Sequence, residues 1–306
     1  MCWTRASAHA ASSINTPFSG VTASSHSGEV VRDTRSMHLL LVDESNKGHM
    51  PNKFFILGGL VFSEEQVTKV DAAIKARRQE FGFEDGDSFK FDTNSRPPQV
   101  TIPQHREAKR ATISDLKRIG VRLITTVCLH DLAGNNPDQT MEFGLNNVAA
   151  SYHRLLTQES TVGYMLMDRD NDRYDYLERF HQHGFKYKNS EKAVQDRILL
   201  FGMTSDNASH LGSATDIALG AFRYCVNAAG GEGRDEVAKT MFQDLADLMW
   251  GELDASGTKQ VGNRGYIPSP EVSNIRVLKY REKYERLGKA LERYALDELD
   301  EKPAAS

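Results

Sequence analysis

The sequence has few cysteines and no long apolar segment. Three cysteines, Cys2, Cys128 and Cys225, are widely spaced over 306 residues. Their odd number and spacing favour buried thiols in a reducing compartment. No stretch approaches the roughly 20 apolar residues of a transmembrane helix, and the N-terminus has no apolar block of the signal-peptide kind. We therefore expect a cytoplasmic protein that has no membrane partner.

An excess of positive charge is also absent. The formal net charge is -4 at pH 7, which argues against a protein that coats nucleic acid nonspecifically. It does not exclude a local basic groove around an acidic metal site. The hydrophobic share of 39% is low but sufficient for a globular core. The length permits one large domain or two smaller ones.

Most of the chain alternates strand patterns with helix patterns. Residues 1–36 are rich in Ser, Ala, Thr and His, so we expect a disordered tail or an over-long start there. The alternation that follows predicts an α/β domain over residues 37–229, with part of its sheet parallel. Residues 230–306 are expected to form a helical C-terminal extension packed on or beside this core. The strands are expected at residues 39–42, 54–62, 121–130, 162–170 and 197–203.

Two predicted helices matter for the C-terminal extension. An amphipathic helix is expected over residues 237–253, and a long charged helix over residues 272–299. The charged helix could offer a surface for a homodimer or for another protein partner.

The first strand ends in acids. Four apolar residues, 39–42, run directly into Asp43, Glu44 and Ser45. A continuous apolar run bounded by polar residues is typical of a strand buried on both faces. An acid at the end of such a strand lies where open α/β sheets bind their ligands. Asp43 either binds a cation there or caps a turn after the strand.

Two further acids occupy comparable places. Asp168 ends another predicted strand, and Asp216 lies in a late helix that Ser209 is expected to cap. Acids at neighbouring strand ends can converge, and a helix across the sheet edge can supply a third. Hard cations such as Mg²⁺ bind a few carboxylates and retain water and phosphate oxygens as their other ligands. Asp43, Asp168 and Asp216 are therefore predicted to bind Mg²⁺ or Mn²⁺.

Glu44 is predicted as a further metal ligand, with less support than the three aspartates. Alternate side chains of a strand point to opposite faces, so Glu44 should point away from Asp43.

The helix around Asp216 is mostly apolar, with one narrow polar strip formed by Ser213, Asp216, Gly220 and Arg223. A mostly apolar helix is mostly buried. The strip therefore either meets solvent or lines a cleft. Gly220 favours the cleft because it leaves room for a ligand or another backbone.

Lys90 lies in a loop with Asp87 and Asp92. It is either a solvated loop lysine or a cation placed next to a phosphate or an attacking water.

The acids of residues 168–172 allow other interpretations. A calcium loop is excluded because Arg173 and Arg179 occupy the positions of its glycine and glutamate. A DxD motif would indicate a sugar-nucleotide transferase. Asp170 and Asp172 could instead cap the following helix.

Histidine and basic side chains give weaker signals. His181 and His183 have a two-residue spacing with no cysteine nearby, which is a weak zinc signal, and solvated helix-end residues explain them better. Basic clusters on predicted helices are usually solvated faces, although some could follow a phosphate backbone. These clusters are Lys75, Arg77 and Arg78; Arg106, Lys109 and Arg110; Lys117 and Arg118; and Lys186, Lys188 and Lys192.

Four motifs in order resemble one family. LLLVDESN followed by FFILGGLVF resembles the opening of the domain of unknown function 3800 family, in which a strand ends in Asp-Glu-Ser and a glycine-bearing strand follows. DSFKFDTNSRP resembles its lysine motif, MLMDRD its strand-end aspartate, and SHLGSATDIALGAFRYCVN its late helix. The resemblance spans roughly residues 39–227.

This resemblance implies a ribonuclease-H-like fold with an acidic metal centre and nuclease activity on nucleic acid. It implies Asp43, Asp168 and Asp216 as metal ligands and Lys90 near the scissile phosphate. Members of the family are often linked to mobile elements and phage defence.

The chain departs from the family pattern at several positions. Asn46 stands where the family usually has Gly, and Ser88 where many relatives have an acid, for which Asp87 is a substitute. Thr215 precedes the late acid, and a rival motif would make Asp247 the third ligand.

We therefore expect a ribonuclease-H-like mixed sheet of about five strands flanked by helices. The expected activity is that of a metal-dependent nuclease. The alternatives are an inactive binding or assembly module of the same fold and a DxD-type sugar-nucleotide transferase.

Overall fold

The structure is a computed structural model that describes residues 36–48, 50–133, 136–169, 174–187, 190–205 and 208–296. The strands are β1 (Met37–Ser45), β2 (Phe54–Ser63), β3 (Arg122–Leu129), β4 (Val162–Asp168), β5 (Phe185–Tyr187), β6 (Ser190–Lys192), β7 (Ile198–Thr204), β8 (Glu252–Leu253), β9 (Lys259–Gln260) and β10 (Tyr266–Ser269). The helices are α1 (Glu64–Glu80), α2 (Ile102–Ile119), α3 (Pro137–Gln158), α4 (Tyr174–His183), α5 (His210–Ala229), α6 (Asp235–Leu248) and α7 (Leu278–Ala295).

A mixed six-stranded sheet in the order β10-β3-β2-β1-β4-β7 forms the centre of the fold. β1, β2 and β3 are antiparallel neighbours, whereas β4 runs parallel to β1 and β7 runs parallel to β4. This arrangement confirms the predicted α/β class with a partly parallel sheet flanked by helices. The remaining strands form two small two-stranded sheets, β5-β6 and β8-β9.

The sheet has six strands rather than about five because β10 pairs in parallel with β3 at its edge. The sequence of β10 includes Pro268, which cannot donate a ladder hydrogen bond and so occurs on edge strands. Residues 254–269 therefore have a loop-like sequence although they contain two short strands, β9 and β10.

Helices cover both faces of the sheet. On one face, Leu41, Ile56 and Leu60 pack in a cluster with α1, α2, α5, α6 and α7. On the other face, Leu40 and Leu57 pack with α3 and α4. Because successive side chains of a strand alternate between faces, β1 contributes to both clusters.

Several helix boundaries agree with the sequence. Ser209 caps α5, because its hydroxyl accepts a hydrogen bond from the N–H of Leu211 at 3.1 Å. The side chain of Gln66 accepts the backbone N–H of Ser63 at 2.9 Å, as expected of a helix that begins after Ser63.

Residues 230–296, the described part of the predicted helical extension, contain short strands as well as helices. The helix predicted over residues 237–253 ends at Leu248, and residues 252–253 pair with β9. The helix predicted over residues 272–299 begins only at Leu278, after a short 3₁₀ turn. Both α6 and α7 contribute side chains to the same core cluster as α5.

Some expectations concern residues that the structure does not describe. These are the tail over residues 1–35, the capping roles of Asp170 and Asp172, and the end of the charged helix beyond residue 296.

Two of the cysteines are buried and free, as predicted. Burial raises the pKa of Cys128 to about 11 and also raises the pKa of Cys225. None of the described helices has both the length and the apolar character needed to cross a bilayer.

Candidate active site

A cavity of about 300 Å³, hereafter the acidic cavity, lies where β1 and β4 end. Five residues singled out in the sequence line it, although they come from four separate segments of the chain. They are Asp43, Glu44, Lys90, Asp168 and Asp216. The other lining residues are Ser45, Phe91, Asp92, Leu219, Gly220 and Arg223.

The sheet places Asp43 and Asp168 side by side. Val42 on β1 is the partner of Met167 on β4, so the two acids are the next residues of neighbouring parallel strands. Adjacent strands lie about 4.8 Å apart. Each acid follows by two residues a leucine that packs on the face covered by α5, Leu41 or Leu166. Alternation along the strands therefore directs both carboxylates towards α5.

The same local hydrogen bond occurs at both strand ends. Asp43 Oδ1 accepts the backbone N–H of Glu44 at 2.8 Å, and Asp168 Oδ1 accepts that of Arg169 at 2.8 Å. Both acids are half-buried. The two carboxylates are thus held in equivalent ways at the wall of the cavity.

Asp216 fixes the loop that contains Lys90. Its Oδ2 accepts the backbone N–H of Phe91 at 2.5 Å. One turn later on α5, a Cβ at Gly220 would lie only 2.4 Å from Cβ and Cγ of Phe91. The room at Gly220 is therefore used by a neighbouring side chain rather than by a ligand or another backbone.

The polar strip of α5 lines the acidic cavity through Asp216, Gly220 and Arg223. Ser213, its fourth member, lies instead in a separate surface depression with Asp87.

Helix α2 binds the same loop from the other side. The carbonyl of Lys90 accepts a hydrogen bond from His105 Nε2 at 3.0 Å, and the carbonyl of Phe91 accepts one from Lys109 Nζ at 2.8 Å. A carbonyl can only accept, so Nε2 of His105 must hold the proton. The Lys109 ammonium also lies 4.3 Å from the centre of the Phe91 ring. The backbone around Lys90 is thus fixed by α2 and α5 together.

Burial sets the charge states of these two α2 residues. Loss of solvent and, to a smaller extent, the nearby Lys109 charge together lower the pKa of His105 to about 4. Loss of solvent also lowers the pKa of Lys109 to about 8, with a smaller contribution from Arg106. The carboxylates of Asp92 and Asp216 oppose this decrease. At neutral pH the two α2 side chains that donate hydrogen bonds to the loop are therefore a neutral histidine and a charged lysine.

Three residues at the site were not assigned a role from sequence. Asp92 lines the cavity, and its Oδ1 accepts the N–H of Asn94 at 3.0 Å. His105 and Lys109 are buried on α2. One sequence feature could have indicated that His105 and Lys109 act together. They are four residues apart, which places both on one helix face.

Asp87, the expected substitute acid, lies outside the acidic cavity. It accepts hydrogen bonds from the N–H of Glu84 and from Gln99 Nε2.

The rival acid Asp247 also lies elsewhere. It forms an ion pair with Lys117 at 2.7 Å on the outside of α6. His181 and His183 are exposed on the last turn of α4. Glu44 does line the cavity, although strand alternation directs it away from Asp43, and its carboxylate binds Lys47 at 2.9 Å.

Asn46 adopts a backbone conformation that is typical of glycine. Its φ of 60° lies in the left-handed region. Glycine adopts this conformation freely, and asparagine tolerates it better than most residues. Asparagine at this position is therefore compatible with the turn after β1.

The donor chemistry of the acidic cavity fits a hard divalent cation, because its acids offer only carboxylate oxygens. Within the described ranges, however, no three His, Cys, Asp or Glu side chains lie close enough together to form a ready-made metal site. The carboxylates would have to turn towards one another to share an ion.

Comparisons of the chain with protein-family models, with curated proteins and with solved structures gave no match.

Proposed function

We propose that the chain is a divalent-metal-dependent phosphodiesterase that cleaves nucleic acid at the acidic cavity. The observation that supports this most is the meeting of Asp43, Asp168 and Asp216 with Lys90 in one cavity. These acids come from two neighbouring strands and a helix. Carboxylates that can bind a cation, next to a lysine that can bind a phosphate, are the groups that this chemistry requires.

Each residue has a distinct role in the proposal. Asp43, Asp168 and Asp216 would hold Mg²⁺ or Mn²⁺, with Glu44 as a further ligand. When bound, the ion would lower the pKa of a water molecule and offset charge on the leaving oxygen. Lys90 would donate a hydrogen bond to a phosphate oxygen. Because α2 and α5 fix the backbone of its loop, little backbone freedom is lost when Lys90 takes up that position.

A ribonuclease-H-like architecture is part of the same proposal. The mixed sheet supports it, with two of the acids on its adjacent central strands β1 and β4. The left-handed backbone at Asn46 supports it further, because the family usually has Gly there.

The test is a cleavage assay with labelled RNA, DNA and hybrid substrates in Mg²⁺ or Mn²⁺. We expect Asp43→Asn to reduce the rate at least about 100-fold, because the loss of one charged group from the site weakens stabilisation of the transition state. Asp247→Asn is the matched control, since Asp247 lies outside the cavity, and it should cleave like the unaltered protein. Cleavage that is absent with all substrates, or unchanged in Asp43→Asn, would contradict the proposal.

An inactive binding module of the same fold is the second candidate. It is favoured by the lack of a ready-made metal group among the described residues. Calorimetry with Mn²⁺ separates the two candidates. The nuclease requires heat of binding that is lost in Asp43→Asn, whereas the module requires none in either protein.

The DxD transferase is not proposed, because its second acid, Asp170, lies outside the described residues.

A further inference from the structure

A second cavity, of about 550 Å³, adjoins the acidic cavity at Phe91, which lines both. Its walls come from α2, the end of α5 and α6. We call it the basic groove and define it by Arg106, Lys109, Arg110, Tyr224, Arg234 and Met241. Phe91 is thus a common wall residue of the two cavities.

The rim of the basic groove offers positive charge to an external anion. Arg106 and Arg110 are exposed and lie one turn apart on α2, so they project from the same helix face. Within the described part of the chain, neither arginine forms an ion pair. Arg234, before α6, adds a third exposed guanidinium group. Planar guanidinium groups bind phosphate oxygens in bidentate fashion.

Acidic side chains at the groove do not cancel this charge. Asp244 forms an ion pair with Lys117 at 3.1 Å. Glu107 and Glu236 also line the groove and are exposed. These two acids are outnumbered by the positively charged side chains of the groove, which are three arginines and the buried Lys109.

The floor of the basic groove is apolar and aromatic. Ile113 is buried, whereas Val237, Met241 and Tyr224 are half-buried. Phosphates bind to positive charge and do not require an apolar floor. The face of a nucleobase, in contrast, stacks on such a surface. In a duplex the base faces are stacked on one another and are not available. The groove therefore suits a single strand better than a duplex.

We propose that the basic groove binds the single-stranded part of a nucleic-acid substrate next to the scissile phosphate. Arg106 and Arg110 contact backbone phosphates, and Tyr224 contacts a base. This inference rests on the proposed function, because it assigns the substrate of the acidic cavity to one structural class.

The first test measures binding without cleavage. Labelled single-stranded DNA and RNA of about 12 nucleotides, within the site sizes of such grooves, are titrated with protein in EDTA and followed by fluorescence anisotropy. We expect Arg106→Gln/Arg110→Gln to weaken binding about tenfold or more. The salt dependence is measured as the slope of log affinity against log salt concentration. Each lost phosphate contact should reduce the magnitude of this slope by about 0.7, so the two together should reduce it by about 1.4.

The matched control removes two positive charges elsewhere. Lys69→Gln/Lys75→Gln alters exposed residues of α1 that do not line either cavity. It should retain binding within about twofold and retain the salt dependence of the unaltered protein. Equal weakening by both double variants would overturn the inference, because it would indicate an effect of net charge alone.

A second pair of variants tests the base contact. Tyr224→Leu removes the ring and should weaken binding about tenfold, in the range of base–aromatic stacking. Tyr224→Phe keeps the ring but loses the hydroxyl, which accepts the N–H of Arg234 at 3.2 Å, and should bind normally. A duplex of the same sequence should bind more weakly than either single strand, and tighter binding of the duplex would overturn the inference.

The two proposals can fail separately. Binding that weakens in Arg106→Gln/Arg110→Gln, without cleavage by any protein, supports the groove and contradicts the nuclease. Cleavage by the unaltered protein, with normal oligonucleotide binding by Arg106→Gln/Arg110→Gln, overturns the groove and leaves the nuclease intact. No binding of oligonucleotide by the unaltered protein also overturns the groove.

Discussion

The loop around Lys90 is held through its backbone. The N–H of Phe91 is bound by Asp216, and the carbonyls of Lys90 and Phe91 are bound by His105 and Lys109. A buried peptide group that loses its partner costs about 1–3 kcal/mol. Three such bonds from two helices therefore give this short loop a defined position next to the acids.

His105 should make the protein less stable in mild acid. The residue is fully buried, and its pKa falls from 6.5 to about 4 on folding. Between these values the unfolded chain binds more protons, so the free energy of unfolding decreases as the pH falls. The expected loss from this residue between about pH 7.5 and pH 5 is about 2 kcal/mol.

Urea unfolding of the unaltered protein and of His105→Gln at both pH values tests this prediction. Glutamine can still donate to the Lys90 carbonyl but does not titrate, so the variant should lack this part of the pH dependence. His181→Gln, at an exposed histidine, should behave like the unaltered protein. The same pH dependence in all three proteins would contradict the prediction.

Some site residues can be predicted from local patterns in the sequence, whereas others depend on contacts between distant segments. Asp43 and Asp168 each follow an apolar strand, and Asp216 lies on a polar strip, so neighbouring residues indicate their places. The roles of His105 and Lys109 depend on contacts with a loop 15 and 18 residues away. Such contacts depend on how α2 docks against the loop. The spacing of apolar residues along the sequence does not determine this docking.

At the scale of elements, one tyrosine joins α7 to three strands. The hydroxyl of Tyr284 donates to the carbonyl of Ser269 at 2.6 Å and accepts the N–H of Leu129 at 2.8 Å. Its ring packs edge-on against Phe54, with centroids 4.9 Å apart. One side chain of α7 thus contacts β2, β3 and β10.

Replacement of Tyr284 by Phe should leave both buried backbone groups without this partner. We expect the free energy of unfolding to fall by about 1–3 kcal/mol, measured by urea denaturation. Tyr280→Phe, on the same helix at a partly buried position, is the control and should change it by less than about 0.5 kcal/mol. Equal stability of the two variants would show that the hydrogen bonds of Tyr284 contribute little.

The principal α/β elements could be predicted from the sequence, whereas β10 could not. The long strands and helices have clear apolar periods, and their ends differ from the prediction by a few residues. β10 has only four residues, includes Pro268, and becomes a strand through its pairing with β3. The lengths of α6 and α7 were also overestimated, because polar–apolar patterns continue past the residues at which the chain turns.

At the scale of the whole molecule, the described C-terminal segment, residues 230–296, belongs to the main core. Phe242, Leu245, Tyr284 and Leu291 are each at most 1% exposed. They pack in the cluster that also contains α5. Residues beyond 230 therefore cover the helix that positions Asp216.

A chain that ends at residue 229 should not fold cooperatively. Loss of a large buried side chain costs about 2–5 kcal/mol, so loss of several exceeds the whole stability of about 5–15 kcal/mol. We expect no cooperative thermal transition by near-ultraviolet circular dichroism, whereas the full-length chain should show one. A cooperative transition in the shorter chain would show that residues 1–229 fold alone.

The hydrogen bond from Phe91 to Asp216 joins an acid of the acidic cavity to a residue that also lines the basic groove. A ligand that draws the Asp216 carboxylate away from this N–H also loosens the Phe91 ring, which forms part of the wall of the basic groove. A ligand in the groove that holds Phe91 in place favours the present position of the carboxylate. Reciprocity then requires that each ligand change the affinity of the other by the same factor. We therefore expect ligands of the two cavities to alter each other's affinity through this one peptide group.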